Sequence, residues 1–433
     1  MYRQAYRRKL TTPEQAVEPI KDSATIVHGM ANGEPPALLA AIAHRVRQGD
    51  LKDLNIFSFL PMANAAGTIL SPDLAGLIHN HCWFVTGADR DQVRTGKHLF
   101  VPNQFHQIPR LIRDFMDVDV TVTTVSPMDR AGFFSFGTIN DYITTAARHC
   151  RRLIVEVNRH MPRVFGDSLL HVSEVDAIVE HDAPLVELIP AAPKPEAETI
   201  GRHIAAMVPD AATIQLGLGS IPNAVCLYLE GHKDLGIHTE LLVPGMVHLI
   251  KKGVITGRRK NRHPRKHIFT NALGDQELYE FIHDNPSMES YPVSYTNNPT
   301  VIAANDNMIS INSTIEVDLL GQCNSEYLGG FEFSGTGGQL DYVRGAFNSK
   351  GGKSIIAFYS TAHHGEVSRV VPRFAAGTVT TTPRMDTHYL VTEYGAVNLM
   401  GKSTCERAVE IVKLAHPKFR DSLMAEARKM CLA

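Results

Sequence analysis

Short runs of apolar and β-branched residues alternate with helical patterns along the whole chain, and this alternation constrains the fold most strongly. Several runs are apolar on both faces, as strands of a parallel sheet are when helices cover both sides. Residues 36–49 have helical periodicity, begin at a proline and end at a glycine. The pattern predicts an α/β fold with open parallel sheets. The predicted strands are 24–29, 54–60, 118–126, 152–158, 177–180, 212–219, 235–243, 309–321 and 354–361.

The length of the chain, 433 residues, exceeds what one hydrophobic core usually organises, so we expect two domains. The best candidate linker is segment 188–198, where three prolines fall within six residues before a helical pattern that starts at Gly201. We therefore predict an N-terminal domain at 1–190 and a C-terminal domain at 196–433. The two halves share no clear sequence repeat.

The charge and cysteine content indicate which partners and which compartment to expect. The chain has 43 Lys and Arg against 45 Asp and Glu, which gives no global attraction for nucleic acid. No apolar run approaches the ~20 residues of a membrane helix, and no apolar segment follows the basic start as in a secretory signal. Six widely spaced cysteines fit a reducing compartment. We expect a cytoplasmic protein with no nucleic-acid or membrane partner, in which 21 histidines add positive charge near pH 6.5.

A glycine turn is the first candidate for binding chemistry. Gly217 and Gly219 end a predicted strand, and Pro222 suits the first turn of the helix that follows. Main-chain N–H groups at such a junction hold a phosphate or a developing oxyanion. The turn lacks the third glycine of the dinucleotide fingerprint, and it is not a GxxxxGK[ST] loop. A tight turn without a ligand remains the alternative.

A glutamate in an apolar strand is the second candidate. Glu240 and His238 interrupt the apolar run 235–243, and a carboxylate there is costly to bury unless it is paired or used. Glu240 follows Gly219 by 21 residues, which is the span of one βαβ step. Both features would then lie at carboxyl ends of adjacent strands, where α/β active sites are found. A salt-bridged glutamate at a strand end is the alternative.

The third candidate is segment 333–358, the most glycine-dense part of the chain. Its GTGG motif, which starts at Gly335, would let the main chain pass close to a ligand. Arg344, Lys350 and Lys353 would hold anionic groups between the flanking strands. A surface loop is the alternative.

Other chemistries receive little support. The sequence has no HExxH, CxxC or GxSxG motif, so we predict neither a metal site nor a serine hydrolase. A metal site assembled from distant residues is a weaker alternative. Cys226 lies on the helix predicted after the glycine turn, and we expect it to be packed rather than nucleophilic.

Several ordered segments then resemble one family over nearly the whole chain. They are GLGSIPNAV (217–225), LGIHTELLVPGMV (235–247), SGTGGQLDYVRGA (334–346), 391–423, VPNQFHQIPRLI (101–112), VSPMDRAGFFSFG (125–137) and MPRVFGDSLLHVSEVDAIVE (161–180). Together they resemble the acetyl-CoA hydrolase/transferase group of family I CoA-transferases, and within it the 4-hydroxybutyrate and butyryl-CoA transferases.

The resemblance implies two related α/β domains with the active site between them, and a homo-oligomer. It also implies ping-pong transfer of CoA from a short-chain acyl-CoA to an acid such as 4-hydroxybutyrate, butyrate or acetate. In that reaction Glu240 becomes first a mixed anhydride and then a glutamyl-CoA thioester. Coenzyme A is then a substrate as acyl-CoA, and no tightly bound cofactor is expected.

The resemblance, together with the glycine-dense segment, gives the expected contacts. The CoA contacts are Gly217, Leu218, Gly219, Ser220, Ile221, Asn312, Gly335, Thr336, Gly337, Gly338 and Lys350. The acyl pocket would be lined by Met30, Ala31 and Asn32. The chain departs from the family pattern at 30–33 and at Val243-Pro244, so the acyl specificity is not carried over.

Three alternatives to this reaction stay open. The acid could be a dicarboxylate such as itaconate or succinate, which requires a cationic or amide-rich pocket that Asn32 with nearby His or Arg would serve. Water could accept the acyl group, which would make the protein an acyl-CoA hydrolase. The chain could instead be a CoA-binding sensor, although pure binding gains nothing from a buried acid.

Overall fold

The computed structural model describes residues 1–189, 192–217 and 219–433, and the chain divides into two units. Unit 1 comprises Met1–Leu188, Ile268–Thr296 and Phe331–Gly335, whereas unit 2 comprises Ile189–His267, Asn297–Gly330 and Thr336–Ala433. Each unit is therefore assembled from segments that are distant in sequence. Pro190 and Ala191, in the predicted linker, lie outside the described residues.

The helices and strands are numbered in chain order. The helices are α1 (Tyr2–Lys9), α2 (Pro13–Val17), α3 (Pro36–Arg47), α4 (Ala63–Ala66), α5 (Arg90–Arg94), α6 (Ile108–Phe115), α7 (Ile143–His149), α8 (Pro195–Ala205), α9 (Ser220–Tyr228), α10 (Pro244–Lys251), α11 (Gln276–Ile282), α12 (Val293–Thr296), α13 (Pro299–Ala303), α14 (Gln339–Asn348), α15 (Thr404–Leu414) and α16 (Pro417–Lys429). The strands are β1 (Thr25–His28), β2 (Leu54–Phe59), β3 (Ile78–Phe84), β4 (Leu99–Phe100), β5 (Val120–Val125), β6 (Phe133–Ser135), β7 (Arg152–Val157), β8 (Phe165–Gly166), β9 (Leu169–His171), β10 (Ala177–Glu180), β11 (Thr213–Leu216), β12 (Gly236–Leu242), β13 (His267–Ala272), β14 (Met288–Ser290), β15 (Met308–Ser313), β16 (Glu316–Asp318), β17 (Cys323–Asn324), β18 (Tyr327–Leu328), β19 (Phe331–Glu332), β20 (Lys353–Ala357), β21 (Thr361–Ala362), β22 (Val367–Ser368), β23 (Val370–Val371), β24 (Tyr389–Thr392) and β25 (Gly395–Asn398).

Unit 1 is built on a seven-stranded parallel sheet in the order β10-β7-β5-β1-β2-β3-β4. Its inner strands are apolar because helices cover the sheet, and every residue of β5 is buried. Ile26, Val122 and Ile154 come from three adjacent strands and pack with α3 in one core cluster. The five strands that the first half of the sequence predicts are confirmed.

Six strands of unit 2 lie side by side in the order β25-β24-β20-β15-β11-β12, parallel except for the β24–β25 pair. The strand predicted over 309–321 is wrong in one respect, because β15 ends at Ser313 and β16 joins a separate small sheet with β17 and β23. Thr314 donates its hydroxyl to the Asn324 carbonyl at 2.7 Å, and this bond anchors the chain where it leaves the large sheet. Both units therefore confirm the α/β class with open parallel sheets.

Two helices differ from the sequence expectations. Helix α8 begins at Pro195, inside the predicted linker and before the expected start at Gly201, because proline loses no hydrogen bond in a first turn. Segment 333–358, for which a surface loop is the alternative to a ligand-binding segment, contains the ten-residue helix α14. The helix predicted over 36–49 is confirmed as α3.

Burial removes charge from several histidines. It lowers the pKa of four of them to about 4, so they stay neutral near pH 6.5 and do not add the positive charge that the composition suggested. These are His28, His98, His267 and His388. All six cysteines are free thiols, and none of the described helices is long and apolar enough to cross a membrane.

Unit 1 also buries carboxyl groups, of which Glu156 is the most affected. Its Oε2 accepts the N–H of Leu38 in the first turn of α3 at 3.0 Å, whereas its Oε1 has no hydrogen-bond partner among the described residues. Burial raises the pKa of Glu156 to about 8, and it raises the pKa values of Glu34 and Asp141 to about 7. These groups make the stability of unit 1 dependent on pH.

We expect Glu156→Gln to reduce the loss of stability at alkaline pH. The carboxyl titrates at 4.5 when unfolded and at about 8 when folded. The folded chain therefore binds more protons across this window, and the stability contribution falls as pH rises through it. Urea unfolding midpoints at about pH 6 and pH 8.5 should differ less for Glu156→Gln than for the parent chain. The exposed Glu18→Gln serves as the control, and an unchanged difference in Glu156→Gln would contradict this account.

Candidate functional site

The carboxyl edge of the unit 2 sheet brings the glycine turn and Glu240 together. Strands β11 and β12 are adjacent and parallel, with Ile214 paired to Ile237. Continued along both strands, this register places Gly217 level with Glu240. The glycine turn and Glu240, which are one βαβ step apart in sequence, are therefore close in space.

Glu240 lies near the end of β12 in a partly buried position. Its Oε2 accepts a hydrogen bond from Asn297 Nδ2 at 2.5 Å. The buried Tyr342 lies near enough that the charge of Glu240, after burial itself, raises the pKa of the phenol well above its ordinary value. The carboxylate therefore has a polar anchor on one side and a neutral phenol nearby.

Gly338 immediately precedes α14 and explains why part of the GTGG motif must be glycine. A Cβ atom built on Gly338 would collide with Glu240 Oε2 and Asn297 Nδ2. The backbone at this position is otherwise ordinary, with φ −96°, so the restriction is steric rather than conformational. The start of α14 thus approaches the carboxylate, where the helix dipole favours negative charge.

Asn297 escaped the sequence analysis, and its local context explains why. It precedes Asn298, whose side chain accepts the N–H of Thr300 at 2.9 Å and caps α13, and then Pro299. An Asn-Asn-Pro triplet therefore indicates only a turn and a helix start. Nothing local indicates that the side chain of Asn297 reaches β12.

The predicted Asn312 lies beside the glycine turn. Gly217 donates its N–H to the Ile311 carbonyl at 3.0 Å, and a Cβ on Gly217 would be 3.8 Å from Asn312 Oδ1. The amide of Asn312 exchanges hydrogen bonds with Gln215 at 3.2 and 3.3 Å. Gln215 was also missed, although its polar side chain in the apolar β11 was an available signal.

The start of α9 presents main-chain donors at the same edge. Gly219 precedes the helix with φ +122°, a conformation that favours glycine, and its surroundings are open. Ser220 Oγ shares a hydrogen bond with Tyr359 Oη at 2.6 Å, whereas Ile221 is buried and packs inward. Leu218 lies outside the described residues. The first N–H groups of this helix can hold a phosphate or an oxyanion.

The other three residues of the GTGG motif each have a separate structural role. Thr336 donates its hydroxyl to Glu326 Oε2 at 2.8 Å, and Gly337 has φ +55°. Gly335 belongs to unit 1, where a Cβ would lie 3.0 Å from the carbonyl of Trp83. Close packing therefore accounts for Gly335 without a ligand.

The basic residues of segment 333–358 do not gather at the candidate site. The carbonyl of Lys350 accepts the N–H of Asn307, which precedes β15, so Lys350 lies at the amino edge of the sheet, opposite the candidate glutamate. Arg344 pairs with Asp386 at 3.1 Å, and Lys353 donates to a main-chain carbonyl at 2.7 Å. These expected anion contacts are therefore not brought to the glycine turn.

The predicted acyl-pocket residues lie in unit 1, where they are buried or hydrogen-bonded within that unit. Met30 is buried, and Ala31 adopts the left-handed region with φ +45°. Asn32 Oδ1 accepts the Val186 N–H at 2.7 Å, and its Nδ2 donates to Tyr279 Oη at 2.9 Å. Because both ends of this amide are hydrogen-bonded within unit 1, the structure adds no support to Asn32 as the group that recognises a second carboxylate, and that alternative stays a prediction.

The departure at Val243-Pro244 also has a local cause. Pro244 is the first residue of α10, and Gly245 packs so closely on the buried Cys226 that a Cβ would lie 2.8 Å from its Sγ. Burial raises the pKa of Cys226 to about 12, which agrees with the expected packed thiol.

In the described part of the chain, no three His, Cys, Asp or Glu residues cluster as a metal site would require.

We predict that Gly338→Ala lowers activity by at least about 100-fold while the protein remains folded. The new methyl group must displace Glu240 or Asn297, and a shift of about 1 Å in a reacting group is enough for such a loss. The two properties are measured by a steady-state assay of CoA transfer, the activity that the family resemblance implies, and by circular dichroism. Gly231→Ala is the matched control, because its Cβ would meet nothing within 4 Å. Equal activity of both variants would contradict the role of this contact.

Two family models match the chain. The N-terminal domain model of the acetyl-CoA hydrolase/transferase family matches residues 1–190, and the C-terminal domain model matches residues 274–427. Together they cover well over half of the sequence.

Full-length relatives agree with the family models. The 4-hydroxybutyrate coenzyme A transferase of Clostridium kluyveri is 42% identical over 99% of both chains. The succinyl-CoA:cyclohexane-1-carboxylate CoA transferase of Geobacter metallireducens is 42% identical over 99% of this chain and 97% of its own. The butyryl-CoA:acetate CoA-transferase of Anaerostipes caccae is 36% identical over 99% and 98%. Among solved structures, RipA from Yersinia pestis superposes with a TM-score of 0.95 at 49% identity and covers 100% of both chains.

Proposed function

The chain belongs to the acetyl-CoA hydrolase/transferase family and is a CoA-transferase, and from this premise we propose that it transfers CoA through a glutamyl-CoA thioester on Glu240. The observation that supports this role is the position of its carboxylate, partly buried and held between Asn297 and Gly338 at the carboxyl edge of the sheet. A nucleophile benefits from an arrangement that fixes its orientation and leaves it partly open to solvent.

The proposed steps conserve the energy of the CoA thioester. A carboxylate oxygen of Glu240 attacks the acyl-CoA carbonyl and expels CoA thiolate, which leaves a mixed anhydride. The thiolate then attacks the glutamyl carbonyl and releases the donor acid, which leaves the glutamyl-CoA thioester. The acceptor acid reverses both steps and departs as the new acyl-CoA. A carboxylate suits this role because it can form an anhydride and a thioester in succession.

Asn297 and Gly338 orient the nucleophile. Donation from Asn297 Nδ2 fixes the rotation of the carboxylate, and the close main chain at Gly338 blocks its displacement. Because the carboxylate is already oriented, the reaction loses less entropy on reaching its transition state. When the glutamyl carbonyl becomes tetrahedral, the same amide can donate to the oxyanion, an interaction of about 3–4 kcal/mol in comparable sites.

The glycine turn is the proposed CoA contact. Gly217 and Gly219 lie between the end of β11 and the start of α9, so the first N–H groups of this helix lie at the carboxyl edge of the sheet. Gly217 also lies against Asn312, which presents an amide there. Main-chain donors of this kind bind phosphate without requiring net positive charge, in agreement with the charge of −2. Lys350 is not part of this proposal because it lies at the opposite edge.

For the acids, we propose short monocarboxylates of the 4-hydroxybutyrate, butyrate and acetate type. The names of three full-length relatives include these acids or another monocarboxylate. The Asn32 amide is hydrogen-bonded at both ends within unit 1, so it is less available to recognise a second carboxylate. Succinyl-CoA is the second candidate donor, because three relatives carry it in their names. We further propose that the enzyme acts in the cytoplasm as a homo-oligomer, and its six free thiols fit that compartment.

Acyl-CoA should convert Glu240 to a covalent adduct that can be trapped. Incubation with acyl-CoA followed by borohydride or hydroxylamine should change the mass of the peptide that contains Glu240, because both reagents react with a thioester. Peptide mass spectrometry measures this change. Modification elsewhere, or none, would contradict the proposed nucleophile.

Matched variants complete this test. Glu240→Gln keeps the shape of the side chain and should abolish both trapping and transfer, whereas the surface Glu230→Gln should retain both. A hydrolase would release CoA from acyl-CoA without an acceptor acid, so CoA release in the absence of acid separates the two reactions.

A donor–acceptor matrix should identify the substrates. Acetyl-, butyryl-, 4-hydroxybutyryl- and succinyl-CoA are each combined with the four corresponding acids and itaconate, and kcat/KM is measured by chromatography of the CoA esters. We expect monocarboxylate acceptors to exceed succinate and itaconate by about tenfold or more, because burying an unpaired carboxylate is costly. A preference for either dicarboxylate would contradict the proposed acid class.

A further inference from the structure

A cavity of about 930 Å³ lies in unit 1 at the carboxyl edge of its parallel sheet. Val157 and Glu180, the last residues of β7 and β10, line it together with α1. Met128 and Arg130, in the loop after β5, complete the lining on another side. Ligands of open α/β sheets bind at this edge, and the volume is within the usual range for small-molecule sites.

The acidic residues of this cavity already have partners. Each of the three carboxylates that line it accepts a hydrogen bond or forms an ion pair within unit 1. These pairs are Glu180 with Tyr6 at 2.7 Å, Asp129 with Arg163 at 3.1 Å, and Asp182 with Arg159 at 2.6 Å. Arginines compensate the charges of Asp129 and Asp182, whereas Glu180 accepts from a neutral phenol and keeps one negative charge.

Three arginines that line the cavity remain uncompensated. Arg3, Arg7 and Arg130 form no ion pair with any carboxylate in the described ranges 1–189, 192–217 and 219–433. Arg3 and Arg7 are four residues apart on α1 and therefore lie on the same helix face. Arg130 comes from a separate loop, so positive charge enters the cavity from two elements.

Two tyrosines give the cavity an aromatic surface. Tyr2 and Tyr6 are also four residues apart on α1, and both line the cavity. Tyr2 packs edge-on against His171 with ring centroids 5.1 Å apart, and Tyr6 lies 6.0 Å from Phe134. These contacts limit the motion of the two rings, which can then accept a planar group.

We propose that this cavity binds a small organic phosphate with a planar heterocycle, of the size of a nucleoside diphosphate. The guanidinium groups of Arg3, Arg7 and Arg130 match phosphate oxygens, and the tyrosine rings of α1 contact the heterocycle. The site lies wholly in unit 1 and does not depend on the chemistry of Glu240.

The test is isothermal titration calorimetry of the full chain with GDP as the probe. We expect saturable binding that weakens as NaCl is raised, because the contacts are ionic and solvent-accessible. Arg3→Ala/Arg7→Ala and Arg130→Ala should each weaken GDP binding by about tenfold or more. Arg8→Ala is the matched control, since Arg8 is exposed on the same helix but does not line the cavity.

Three results would overturn the proposal. They are no binding of GDP, equal GDP affinity in all the arginine variants, and citrate binding as tight as GDP, which would show that no planar group is recognised. The KM for acyl-CoA should stay unchanged in Arg3→Ala/Arg7→Ala, which separates this site from the CoA contact. Loss of transfer in Glu240→Gln leaves the GDP titration unaffected, so the two proposals fail independently.

Discussion

The contact of the Glu240 carboxylate with the Asn297 amide and the Gly338 main chain is the interaction on which the candidate site depends. A carboxylate partly removed from water needs a donor, and this one receives it from a residue that precedes a different helix. The third participant, the start of α14, approaches so closely that any side chain would displace the acid. Three segments distant in sequence therefore fix the orientation of one nucleophile.

Both units place a carboxylate beside the first turn of a helix, with different consequences. In unit 1, Glu156 accepts main-chain N–H groups of α3 but is fully buried, and burial dominates its pKa. In unit 2, Glu240 lies beside α14 and is only partly buried, so an incoming substrate can reach it. The helix dipole acts in both cases, but solvent access separates a structural group from a reactive one.

The near-zero net charge conceals local differences. Around the unit 1 cavity, Asp129 and Asp182 form ion pairs with arginines, whereas Arg3, Arg7 and Arg130 have no such partner among the described residues. The glycine turn of unit 2 differs, because its main-chain N–H groups attract an anion without a charged side chain. Total charge therefore excludes a global field but does not describe how either edge attracts anions.

The sequence by itself determined several strands of both units, the α/β class and the position of Glu240 in an apolar strand, because hydrophobic periodicity is a local property. It also identified the glycine turn, since a βαβ step fixes which strand ends become neighbours. The tertiary structure alone decided that Asn297 reaches Glu240, that Lys350 lies at the opposite edge and that the Asn32 amide is occupied. These outcomes depend on packing between segments far apart in the chain, and no local pattern encodes such contacts. The same limit applies to β16, whose Val317 continues the apolar pattern of β15 although the chain has already left that sheet.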